Sequence, residues 1–198
     1  MRRQLLAIAF VVAVAAARSV PAASPPGGSS ASPAPSTSGS ASGLERAREA
    51  FAKGVALFDS GDYAGALEHF AEAESIKYTP AIHFNVARCL EKLGKLVHAL
   101  EAYRRTEADA LAEGKDSLAK RAVESATQLE PHVPKLTVVA KPSGAKIAID
   151  GVPVSSGVAH LVDPGKHTVV VSAPKLTTKT LSVSLAVDEA KKLAVALP

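Results

Sequence analysis

The stretch KPSGAKIAIDGVPV, Lys141 to Val154, decides how the last part of the chain is read. Ile147 and Ile149 alternate with Lys146 and Ala148, and Val152 and Val154 resume the alternation after Asp150-Gly151. A period of two is that of a strand with one buried face, and Asp-Gly tolerates the positive φ of a tight hairpin turn. The same alternation recurs on both sides: Leu136, Val138 and Ala140; Val169 and Val171; Leu181, Val183, Leu185 and Val187; Leu193, Val195 and Leu197. Pro142-Ser143-Gly144, Asp163-Pro164-Gly165 and Ala173-Pro174 punctuate these runs. Short strands bounded by Gly and Pro predict a small all-β sandwich over residues 133–198. A core of that size is thin, so packing against the preceding helix through Pro131 and Pro134 is expected to help it.

The segments PSGAKIAIDGVPV and VDPGKHTVVVSAP together resemble the PEGA domain, a small β module of bacterial envelope proteins. Pro142, Gly144, Ala145, Asp150, Gly151, Pro164, Gly165 and His167 carry the resemblance. Ser143 stands where the family has Glu, and Lys175-Leu176 stands where Gly-Tyr usually follows the second Pro. The resemblance implies a non-catalytic module that contacts protein or sugar.

Upstream, residues 44–132 change to Ala, Leu, Glu, Lys and Arg, all good helix formers. Breaks at Ser60-Gly61, Thr79-Pro80, Gly94 and Gly114 divide them into five predicted helices, at about 44–60, 62–77, 80–93, 96–113 and 115–129. Thr79 supplies a capping hydroxyl, and Pro80 suits the first helical position. The segment repeats itself at an offset of 33: Leu57 and Leu90, Gly61 and Gly94, Ala66 and Ala99, Leu67 and Leu100, Phe70 and Tyr103. Two helices per period of that length mark a helical solenoid. FAKGVALFDSGDYAGALEHFAEAE resembles a tetratricopeptide repeat, with Gly54 at the helix crossing and Gly61-Asp62-Tyr63 at the turn. HFNVARCLEKLGKLVHALEAYRRTEA resembles a second unit, with Ala87 in place of Gly54 and Leu96 in place of Tyr63. The fifth helix would cover the open end. The fold class is thus α + β in separate domains.

The chain begins MRRQLLAIAFVVAVAAARSVPAA. Arg2 and Arg3, an apolar run from Leu5 to Ala17 and small residues after it form the pattern of a secretory signal over residues 1–22. A retained N-terminal anchor is the other reading. Residues 23–43 are rich in Pro, Ser and Gly and read as a disordered tether. The whole chain carries a net charge of +4. Loss of residues 1–22 removes Arg2, Arg3 and Arg18, leaving 20 basic against 19 acidic side chains. A net +1 gives no footprint for nucleic acid. The expected location is the periplasm or outer-membrane surface of a Gram-negative bacterium, with no membrane span after the signal.

Chemistry-bearing patterns are sparse. Cys89, the only cysteine, falls in the helical run FNVARCL and is expected to be buried. His69, His83, His98, His132, His160 and His167 show no metal-ligand spacing. His160 and His167 are expected on exposed positions of a sheet. Nucleophile elbows, phosphate loops and dinucleotide fingerprints are absent from the sequence. No enzyme activity, cofactor or metal is expected.

The resemblance to tetratricopeptide arrays places the first helix of each unit along a groove, which gives Arg48, Phe51, Val55, Asp59, Ala81, Phe84, Asn85, Arg88 and Lys92 as partner-facing positions. Asn85 and Arg88 suit a peptide's backbone amide and carboxylate. The expected function is that of an exported adaptor. Its helices would bind a protein or peptide partner, and its β module would contact another envelope component. The alternative is glycan or peptidoglycan binding through the β module. The lack of any Trp, Tyr or Phe after residue 132 weighs against that.

Overall fold

The computed structural model describes residues 38–198, with side chains from Ser42 onward. The expected signal and most of the expected tether lie outside the described residues. Five helices come first: α1 (Ser38–Ser60), α2 (Tyr63–Ile76), α3 (Pro80–Lys92), α4 (Leu96–Ala112) and α5 (Asp116–Leu129). α1 starts upstream of Leu44, where composition alone predicts coil. Once Ala47 and Ala50 bury, propagation through a few Ser and Gly residues costs only about 0.5–1 kcal/mol each.

Local chemistry sets the other ends. Asp62 caps α2 through the Gly65 amide at 2.9 Å, and Thr79 caps α3 through the Ile82 amide at 3.2 Å, with Pro80 first in the helix. Gly61 and Gly94 end the first helix of each hairpin at φ 87° and 73°, a conformation that L side chains resist.

The 33-residue offset is visible as equivalent burial. Ala66 and Ala99 are fully buried, and so, to within 1%, are Phe70 and Tyr103. α1 crosses α2 so closely that a Cβ on Gly54 would stand 2.8 Å from the Phe70 ring. Cys89 is fully buried, and its burial pushes the thiol up to about 11.

A single 3₁₀ turn (Glu130–His132) leads into seven strands: β1 (Lys135–Lys141), β2 (Lys146–Ile149), β3 (Val152–Val154), β4 (Ala159–Leu161), β5 (Gly165–Ser172), β6 (Lys179–Leu185) and β7 (Ala190–Ala196). They form two sheets, ordered β4-β1-β7 and β3-β2-β5-β6. Leu136, Val138, Ile147, Ile149, Val169, Val171, Val183, Leu185 and Val195 close the core between them. Asp150 and Gly151 take φ 49° and 84°, the double positive turn expected between β2 and β3.

β4 pairs with β1, so His160 lies on a sheet, opposite Leu136. Two expectations are corrected. His167 is not on an exposed position but is 8% accessible. Its Nδ1 meets Asp150 Oδ2 at 2.6 Å, and its Nε2 meets the Asp163 carbonyl at 2.6 Å. A carbonyl only accepts, and so does a carboxylate, so the site can take a hydrogen bond from each nitrogen of the protonated ring. Val187 does not extend β6. It is 49% exposed in the turn before β7, where Asp188 sits at φ 66°.

The α and β parts share packing and hydrogen bonds. Val133 is buried in the same cluster as Tyr103, Ala126 and Leu129, and Leu161 of β4 packs against it. The Asp163 carboxylate accepts the Val97 amide of α4 at 2.8 Å, and the Val162 amide donates to the Pro134 carbonyl at 3.0 Å. His132 Nδ1 meets Asp188 Oδ1 at 2.6 Å.

Candidate functional site: a cation-lined groove

α3 and α5 leave a groove of about 590 Å³ between them. Phe84 and Tyr103, both buried, form its floor with ring centroids 5.4 Å apart. Two guanidinium groups lie on aromatic faces nearby. Arg121 stands 4.8 Å from the Phe84 centroid, and Arg88 stands 4.1 Å from that of Phe58. Stacking of this kind holds the planar group while leaving its N–H edge free to donate. Lys92 adds a third cation to the wall.

The groove also holds two acids, both with partners. Glu91 accepts the Tyr103 hydroxyl at 2.7 Å, and Glu124 lies 4.0 Å from Lys120. Burial first, then Glu91, holds the Tyr103 phenol well above the ordinary tyrosine range. Arg88, Lys92 and Arg121 have no carboxylate within 4.0 Å among the described residues. The wall is therefore net donating and positive.

Of the positions expected from sequence, Phe84, Arg88 and Lys92 line this groove. Asn85 is not among its lining residues. Its Nδ2 donates to the Ala81 carbonyl at 2.9 Å, and its Oδ1 accepts from Arg88 at 3.2 Å. Arg48, Phe51 and Ala81 line a second, apolar hollow of about 340 Å³ between α1 and α3. Val55 and Asp59 are exposed on α1 and line neither. Sequence reasoning missed Arg121, Ser125 and Gln128, which lie along α5 at spacings of four and three. Reading α5 as a third groove helix, not only as a cover, would have found them.

His132 ends the groove and is paired with Asp188, while Ser125 lies on the same wall. No hydrogen bond joins Ser125 to His132 among the described residues. Among the described residues no cluster of three or more His, Cys, Asp or Glu is placed to hold a metal. No described helix is long and apolar enough to cross a membrane.

The described chain thus joins a five-helix part with a cation-lined groove to a two-sheet β part. Residues 133–198 match the PEGA domain, a module of extracellular and periplasmic proteins. No curated protein matches the chain.

Proposed function

We propose that the protein is an exported, non-catalytic adaptor. Its helical part is a pair of tetratricopeptide-like repeats that docks a segment of a partner protein, and its PEGA part contacts another component of the cell envelope. The groove carries this reading, because three cations without carboxylate partners among the described residues line it, one of them, Arg121, over the buried Phe84 of its floor. Such a surface suits the carboxylates and apolar side chains of an extended peptide. The 33-residue equivalences and the Gly54–Phe70 crossing support the repeat assignment. Holding two partners on one chain raises their effective concentration toward each other. The location is the periplasm or outer-membrane surface of a Gram-negative cell.

The test is capture from envelope extract on the full chain and on an Arg88→Glu/Arg121→Glu variant. The full chain should retain a protein that the variant loses. Equal retention on both would end the groove reading. Turnover of any substrate in the groove, abolished by changing Ser125 or His132, would end the non-catalytic one.

A further inference from the structure

The β part has four strand edges, and they are not alike. β3 and β4 are three residues each, and β3 contains Pro153, which cannot donate. β6 has seven residues, but a side chain of β7 occupies part of its edge: Lys191 Nζ donates to the Ser184 carbonyl at 3.0 Å. Just past its end, Glu189 accepts the Ala186 amide at 2.8 Å. β7, also seven residues, is an end strand that pairs with β1 on one side, and no strand is paired to its other side among the described residues.

The direction of its backbone groups follows from the ladder. β7 runs parallel to β1, with Lys135 opposite Ala190 and Lys141 opposite Ala196. Lys135 donates to the Glu189 carbonyl and Leu197 donates to the Lys141 carbonyl, each at 2.9 Å. Backbone groups alternate sides along a strand, so residues 189, 191, 193, 195 and 197 face β1. Ala190, Lys192, Ala194 and Ala196 therefore point their amides and carbonyls at the open edge. No hydrogen bond to those groups occurs among the described residues.

Charge says what would lie there. Residues 133–198 carry eight lysines, no arginine and four acids. All four acids are engaged: Asp150 with His167, Asp163 with His98, Asp188 with His132 and Glu189 with Lys191. Seven lysines are left without a carboxylate within 4.0 Å among the described residues, including Lys192 on β7 itself and Lys141 beside its end. A second copy of this basic part is repelled, whereas an acidic strand is attracted.

We propose that the open edge of β7 binds an extended acidic polypeptide segment of a partner, which adds to the sheet as a further strand. Its backbone would pair with Lys192, Ala194 and Ala196, and its carboxylates would meet the lysines on either side. This site is separate from the helical groove and does not depend on it.

The test uses the full chain and a ten-residue peptide alternating Glu with Thr and Val. Amide hydrogen exchange read by NMR should slow by about tenfold or more at Lys192, Ala194 and Ala196 when the peptide saturates, since two or three backbone bonds form there. Ala194→Pro removes an outward N–H and leaves the β1 ladder intact, so it should weaken the peptide by about tenfold at unchanged unfolding midpoint. If that variant unfolds, the same peptide N-methylated at alternate residues serves against the unaltered protein and should bind about tenfold more weakly. Arg88→Glu/Arg121→Glu should leave β7 protection as it was, which separates failure here from failure of the groove. Peptide binding without slowed exchange at those three amides would overturn the proposal. So would equal affinity for the N-methylated peptide, or β7 protection that appears on self-association without peptide.

Discussion

The Asp163 carboxylate, in the turn between β4 and β5, accepts the Val97 amide in the first turn of α4 at 2.8 Å. α4 has no side-chain cap of its own, because Lys95 occupies the capping position. A residue of the β part, 66 positions downstream, therefore satisfies an amide that helix geometry leaves without a partner. The same carboxylate lies 3.6 Å from His98 Nδ1, and the carbonyl of Asp163 accepts from His167.

Asp163→Ala should thus destabilise the helical part, although the change is made in the β part. The loss of one cap is worth about 1 kcal/mol. Urea unfolding followed by helical circular dichroism measures it. Asp163→Asn keeps an acceptor oxygen and should recover most of the loss. An unchanged midpoint for Asp163→Ala would mean that water serves Val97 as well.

Stability should depend on pH through Asp150 and His167. Burial pulls the His167 imidazole down, but the Asp150 hydrogen bond, the Asp163 carbonyl and the nearby charges outweigh it, leaving the pKa above 6.5. Burial pushes Asp150 up, but hydrogen bonds from His167 and the Thr168 amide outweigh it, leaving the pKa below 3.8. The His167 contribution is then complete below pH 6.5 and fades as pH rises through the elevated folded value. The Asp150 contribution is present above pH 3.8 and fades as pH falls through the depressed folded value. Unfolding midpoints across pH should show a plateau between those limits, which His167→Gln lowers and flattens on its alkaline side.

Gly54→Ala should cost stability. The new methyl carbon would stand 2.8 Å from Phe70 Cδ1 and Cε1 in a fully buried crossing. Overpacking of this kind costs about 1–3 kcal/mol, against a gain of about 1 kcal/mol in helix propensity. Thermal unfolding should fall for Gly54→Ala and fall further for Gly54→Val. Rescue by Phe70→Leu would tie the effect to that one contact.

Lys175→Gly should raise stability. Leu176 donates to the Ala173 carbonyl at 3.2 Å, so Ala173 to Leu176 form a turn with Pro174 second and Lys175 third, at φ 64°. That third position wants glycine, and Lys175 is exposed with no packing to lose. Relief of left-handed strain less the backbone entropy of Gly leaves a gain of about 0.5–1 kcal/mol. A melting temperature that falls would show that the lysine makes a contact of its own.

These cases show which features a linear reading reaches. The Asp150-Gly151 hairpin, the Thr79-Pro80 helix start and the Gly61–Gly94 offset are set by residues within a few positions of each other. Local propensity and periodicity record such features. The parallel pairing of β1 with β7, the pairing of His167 with Asp150 and the capping of α4 by Asp163 each join distant segments. No periodicity records those pairings. β4 escapes for another reason: Ala-His-Leu is too short to alternate. The groove was half legible. Phe84, Arg88 and Lys92 follow from the face of one helix, but Arg121 belongs to a helix whose role is set only when it lies beside α3.

The shared turn at Asp163 also bears on the order in which a newly made chain acquires its shape. As the polypeptide emerges amino end first, all of α4 is out long before its missing acceptor. The helices can gather early, but the start of α4 is finished only when the carboxyl-terminal module arrives. A truncated product that stops short of residue 163 lacks this acceptor for the Val97 amide.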